Sequence, residues 1–142
     1  FSAVRTDAQR VLARLQPALA DWPDAGVYQL RLRVSVALRL TVGRLGRWAL
    51  PAGEYVYTGR ATRGLRARVR RHICGGRCRH WHIDYLLARH GVQITDVTLA
   101  SRCAADECAV NQRTEGRVVI PGFGASDCRR GCGAHLLRLT FA

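Results

Sequence analysis

Residues 26–36, GVYQLRLRVSV, alternate without a break. Tyr28, Leu30, Leu32, Val34 and Val36 fall on one side; Gln29, Arg31, Arg33 and Ser35 fall on the other. In an extended chain successive side chains point to opposite faces, so this pattern predicts a strand with one face in a core and one in water. Such a strand needs neighbours along its edges and a layer over its apolar face. The chain offers both. LRLTVGRLGRWALPAG (38–53) reads as a second strand, a glycine-marked turn and a short third strand, and EYVYTG (54–59) as another. VQITDVTLA (92–100) alternates again, and HLLRLTFA (135–142) closes the chain as a strand.

Helical spacing fills the gaps. Leu65, Val69 and Ile73 recur every four residues after Gly64, with Thr62 placed to cap the start. HWHIDYLLARHG (80–91) is a second helix ending at Gly91, and AADECAVNQRTEG (104–116) a short third. VIPGFGASDCRRGCG (119–133) is a glycine-rich loop. Val4, Ala8, Val11, Leu12, Leu15 and Leu19 make an amphipathic helix stopped near DWPDAG. The expectation is an α+β fold: a small, mostly antiparallel sheet flanked by helices, with an extra N-terminal helix. Residues 1–24 form that helix and a linker, and 25–142 the main domain. No apolar run is long enough to span a bilayer, and the arginines within the first twenty residues argue against a signal peptide or anchor.

Charge narrows the class of partner. The chain has 23 arginines, no lysine and 10 acidic residues, for a net charge of +13. Arginine-rich codon usage explains the choice of arginine over lysine, but not the excess of positive charge. Such a field favours a polyanion, and nucleic acid is the expected one. The charge is concentrated in YVYTGRATRGLRARVRRH (55–72), where no carboxylate interrupts six arginines and a histidine. Arg68 and His72, four apart, share a helix face, and Tyr28 and Tyr57 approach it if their strands pair. Two phenols, a guanidinium and an imidazole then converge.

That constellation, GVY (26–28), YTG (57–59), Leu65, Arg68 and His72, resembles the GIY-YIG nuclease signature, with Val27 and Thr58 in the isoleucine positions. LPAGEYVYTGRA, HWHIDYLL and IPGFGASDC further resemble one branch of that superfamily, domain of unknown function 123, some members of which are fused to endonuclease III. The resemblance covers roughly residues 25–141. It implies a divalent-metal-dependent endonuclease that hydrolyses phosphodiesters in DNA or RNA, DNA ahead of RNA, in the cytoplasm, and at the nucleoid if the source is a prokaryote. Its roles fall on Tyr28 and Tyr57 for the attacking water, Arg68 for the phosphate, His72 beside them, and Glu107 as the Mg²⁺ or Mn²⁺ ligand. Glu115, next to Gly116, is the weaker competitor. Arg60, Arg63, Arg66, Arg70 and Arg71 are expected phosphate contacts, with His80, His82, Ser126 and Asp127 lining the same groove. The asparagine that many relatives carry after the glutamate is missing, since the proline-marked loop reads IPGFGASD and Asn111 follows Glu107 too closely. A non-catalytic nucleic-acid-binding accessory module, associated with a DNA repair enzyme, is the alternative.

Six cysteines remain, at Cys74, Cys78, Cys103, Cys108, Cys128 and Cys132. Cys74, Cys78, Cys128 and Cys132 suit a structural zinc site if their loops meet. Free thiols are the other option, as are disulfides in an exported chain. Cys108, inside the third helix, reads as a small buried residue.

Overall fold

The computed structural model describes residues 9–10, 13–14, 19–75, 79–125 and 128–140. In chain order its elements are β1 (Gly26–Val34), β2 (Leu38–Thr41), β3 (Arg47–Leu50), β4 (Gly53–Ala61), α1 (Leu65–Cys74), α2 (His82–Leu87), β5 (Val92–Ser101), α3 (Glu107–Arg113), β6 (Arg117–Val118) and β7 (Leu136–Arg138). Five strands form one antiparallel sheet in the order β5-β1-β4-β7-β6, and β2 and β3 make a separate hairpin. The fold is α+β, a small antiparallel sheet flanked by helices.

The alternating segment is the sheet's second strand. It ends at Val34 rather than Val36; the Ser35 N–H still donates to the Gly91 carbonyl at 2.8 Å, and Val36 is left 69% exposed. β1 pairs with β4 over its full length, from Gly26 opposite Ala61 to Val34 opposite Gly53. Residues opposite one another share a face, so Tyr28, Leu30 and Leu32 stand with Gly59, Tyr57 and Tyr55. Against them pack Leu65, Val69 and Ile73 of α1 and Ile83 and Leu86 of α2. Leu40 and Leu50 of the hairpin and Ile120 and Phe123 of the glycine-rich segment complete the core. Each fully buried aliphatic or aromatic side chain stabilises the fold by about 1.5–3 kcal/mol.

Helix ends differ from expectation. Thr62 makes no cap at the start of α1. Gly64 takes that position in the left-handed region, φ 67°, where a side chain would be strained. The first turn is held from the linker: the N–H groups of Gly64 and Leu65 donate to Asp24 Oδ1 and O, each at 3.0 Å. The second helix stops at Leu87, short of Gly91. Of the expected N-terminal helix, residues 9–10, 13–14 and 19–20 are helical and Leu19 is fully buried; its other positions lie outside the described residues. No helix among the described residues is long and apolar enough to cross a membrane.

The glycine-rich segment folds back on the sheet. Gly122 N donates to Gly133 O, His135 N to Phe123 O, and Thr58 N to His135 O, which extends the β7 edge along β4. That extension brings residues 132–135 close to the start of α3.

Candidate nucleic-acid active site

The register of β1 and β4 sets the two phenols diagonally. Tyr28 sits opposite Gly59 and Tyr57 opposite Leu30, with the rings 6.4 Å apart. Gly59 is there for space rather than for its φ. A Cβ at this position falls 2.6 Å from both Cζ and Oη of Tyr28 and 3.0 Å from Tyr57 Cε2. Gly59→Ala is therefore expected to push Tyr28 out of its seat and destabilise the fold by about 1–3 kcal/mol, the usual cost of overpacking. Urea unfolding measures it; an unchanged midpoint means the ring does not lie over residue 59.

From α1, His72 closes on the phenols. Its Nε2 and Tyr28 Oη share a buried hydrogen bond of 2.8 Å, and its ring lies 6.4 Å from that of Tyr57. Burial lowers the His72 imidazole to about 4; Asp84 pulls it up, while Arg71 and Arg68 push it down. His72 is neutral at physiological pH and a weak base, so it serves Tyr28 as a hydrogen-bond partner. Tyr28 sits well above the usual phenol range. Burial and Tyr57 raise it, Arg68 lowers it, and Glu107 and Asp84 raise it. Arg68 and Glu107 are thus both near enough for their charges to act on this phenol.

Arg68 stands one turn before His72, donates from Nη1 to the Arg60 carbonyl, and has its guanidinium carbon 4.8 Å from the centre of the Trp81 ring. Arg71 approaches the same ring at 4.7 Å and pairs with Asp84 at 3.0 Å. Asp84 Oδ2 also accepts the N–H groups of His80 and Trp81, each at 2.8 Å. Burial raises this carboxyl, but the Arg71 and backbone hydrogen bonds outweigh it and hold it below the usual range. Trp81 is therefore held by two cation–π contacts. The His80 ring packs edge-on against it at 4.8 Å.

Glu107 begins α3 and lies beside Arg60, the residue after Gly59 on β4. Its Oε1 is 3.7 Å from Arg60 Nε, its Oε2 is 3.5 Å from His135 Nδ1, and the side chain is 16% exposed. Both of its oxygens therefore face a nitrogen, and the carboxylate keeps a small exposed area. Asp106 beside it accepts instead from Ser101 Oγ at 2.6 Å. Glu115 lies beyond the end of the helix and is exposed.

The other expected residues divide. Arg63 is exposed in the turn before α1, Arg66 donates to Ala20 O at 3.4 Å, and Arg70 is half-buried. His82 Nδ1 accepts from Gly124 N at 2.8 Å, pinning the glycine-rich segment to α2, and burial lowers its pKa. Ser126 and Asp127 lie outside the described residues.

The cysteines assemble differently from the expectation. Cys108, Cys128, Cys132 and His135 present four donor atoms all within 4.8 Å of one another, a group able to hold a metal ion. Cys128 and Cys132 were expected there, but their companions are Cys108 and His135. Cys74 ends α1, exposed and outside the group, and Cys78 lies outside the described residues. Cys108 is not simply a small buried residue, since α3 turns its sulfur to within 3.6 Å of Cys128 Sγ. The signal was present in the sequence as Cys128-x3-Cys132-x2-His135, a histidine close behind two cysteines.

The family description "Domain of unknown function DUF123" matches residues 27–142. The chain belongs to this family. DUF123 is GIY-YIG-like, and the pairing of Tyr28 with His72 beneath Gly59 is where the family resemblance acquires a geometry. No curated protein and no solved structure matches the chain.

Proposed function

We propose that this DUF123 chain is a divalent-metal-dependent nuclease that hydrolyses phosphodiester bonds in nucleic acid, DNA ahead of RNA. The observation that carries the reading is the buried 2.8 Å hydrogen bond between Tyr28 and a neutral His72, with Arg68 one helical turn before that histidine. A phosphodiester under attack gains negative charge on its equatorial oxygens. A guanidinium held by the Arg60 carbonyl and the Trp81 ring is preorganised to receive it. Exposed Arg63, in the turn before α1, adds to the positive surface beside it.

Tyr28 alone is a poor base, because its burial works against the phenolate. The 2.8 Å bond to His72 instead fixes the neutral phenol, whose oxygen would orient the attacking water, while a metal at Glu107 would acidify that water so that its proton leaves to solvent. Glu107 would hold Mg²⁺ or Mn²⁺, which when bound neutralises charge on the phosphate. Such a protein works in the cytoplasm beside DNA.

The test uses labelled single-stranded, duplex and branched DNA with Mg²⁺ or Mn²⁺. Arg68→Ala is expected to lower cleavage by about 10²–10³-fold, the usual effect of losing one charge-stabilising donor. Arg47→Ala, on the separate β2–β3 hairpin, is the control for bulk charge and should change it little. Equal losses would mean that only net charge matters. Binding that persists without any cleavage would instead favour the accessory module, in which Arg60 and His135 hold Glu107 as a structural group.

A further inference from the structure

We propose that Cys108, Cys128, Cys132 and His135 hold one zinc ion, and that its histidine ligand steers Glu107. The zinc centre stands independently of the nuclease reading; only its consequence for catalysis rests on that reading.

The donors arrive from three segments: α3, the loop after residue 127, and the start of β7. Cys108 Sγ lies 3.6 Å from Cys128 Sγ and 3.9 Å from His135 Nε2. A tetrahedral zinc with bonds of about 2.3 Å to sulfur and 2.0–2.1 Å to nitrogen requires ligand separations of about 3.6–3.8 Å. A disulfide requires sulfurs at about 2.05 Å, and all three cysteines are free. Three sulfurs and an imidazole form a soft donor set that suits zinc and not magnesium.

The surroundings fit thiolates. Backbone N–H groups of Arg130 and Cys132 hydrogen-bond the Cys128 sulfur, and Gln112 Nε2 reaches Cys132 Sγ at 3.4 Å. The backbone beneath is fixed before any metal arrives. Asn111 Nδ2 donates to Ala134 O at 2.8 Å, and both backbone groups of His135 are bonded, to Phe123 and Thr58.

His135 connects this cluster to the cleft. Its Nε2 faces the sulfurs, so its Nδ1, buried and with no hydrogen-bond partner in range, faces Glu107 Oε2 at 3.5 Å. Zinc on Nε2 leaves the ring proton on Nδ1, directed at the carboxylate. A ligating histidine whose other nitrogen meets a carboxylate is the usual way of fixing ring orientation. Here it also orients the carboxylate, held between His135 and Arg60.

The experiment measures metal rather than cleavage, so its failure is distinguishable from failure of the nuclease reading. Protein purified under reducing conditions is expected to carry about one zinc per chain by plasma mass spectrometry, and Co²⁺ exchange should give a tetrahedral thiolate spectrum. Cys108→Ser and Cys132→Ser should weaken Co²⁺ binding by at least about 10²-fold, while Cys74→Ser and Cys103→Ser leave it unchanged. Glu107→Gln should keep the stoichiometry, weaken affinity about 10–100-fold and shift the Co²⁺ bands. Folded wild-type protein that neither carries zinc nor takes up Co²⁺ overturns the centre, whatever the cysteine variants do. A Co²⁺ spectrum and affinity untouched by Glu107→Gln overturn the steering.

Discussion

On the proposed function, Glu107→Ala is expected to lower metal-dependent cleavage by about 10³-fold or more, because it would remove the oxygen ligand on which several kcal/mol of charge stabilisation depend. The side chain is 16% exposed and starts a helix, so its loss leaves the core intact. The variant should keep the wild-type circular dichroism and bind duplex DNA at least as tightly, since an anion facing Arg60 at 3.7 Å has gone. Separation of binding from turnover is the signature to look for. An enzyme needs this carboxylate and a passive clamp does not. Equal cleavage by wild type and variant points to a contaminant and removes the catalytic claim.

Much of this site could be read before any coordinates. Strict alternation fixed which face Tyr28 occupies, and a four-residue step put His72 one turn from Arg68. Both are local rules. What escaped depended on contacts between distant segments. Cys108 meets Cys128 and His135 across separations of 20 and 27 residues, and no period in the chain announces that meeting. Read by itself, a cysteine inside a helix is more often packing than ligand. The acid-free run at 55–72 misled in a related way. Two of its arginines are matched by carboxylates from later elements: Arg71 by Asp84 of α2 and Arg60 by Glu107 of α3. The site is therefore less uniformly positive than its sequence, and the guanidinium of Arg68 against Trp81 is its distinct feature.

Acid should unfold this protein through His72. Burial holds the folded imidazole at about 4, against 6.5 for the exposed side chain. Above pH 6.5 the group is neutral in both states and costs nothing. As pH falls below 6.5 the unfolded chain takes up a proton that the folded chain refuses, so stability declines progressively until about pH 4, where the folded form protonates too. At about 1.4 kcal/mol per pH unit the total loss is about 3 kcal/mol, a large share of a small domain's margin. Asp84 adds to the loss at lower pH. Its folded carboxyl lies below the usual range, so its contribution is present above the ordinary carboxylate pKa and fades as acid reaches the folded one. Urea unfolding at pH 7 and pH 4.5 measures the His72 window. His72→Gln, which keeps a polar partner for Tyr28 but cannot titrate, should reduce the dependence between these two values, leaving the share that half-buried His82 contributes with the same sign. A wild-type midpoint equal at both would mean that His72 takes up its proton without penalty, which a ring buried against Tyr28 and Trp81 does not permit. The same burial keeps the imidazole neutral at working pH, so the acid sensitivity and the uncharged hydrogen bond to Tyr28 have one cause.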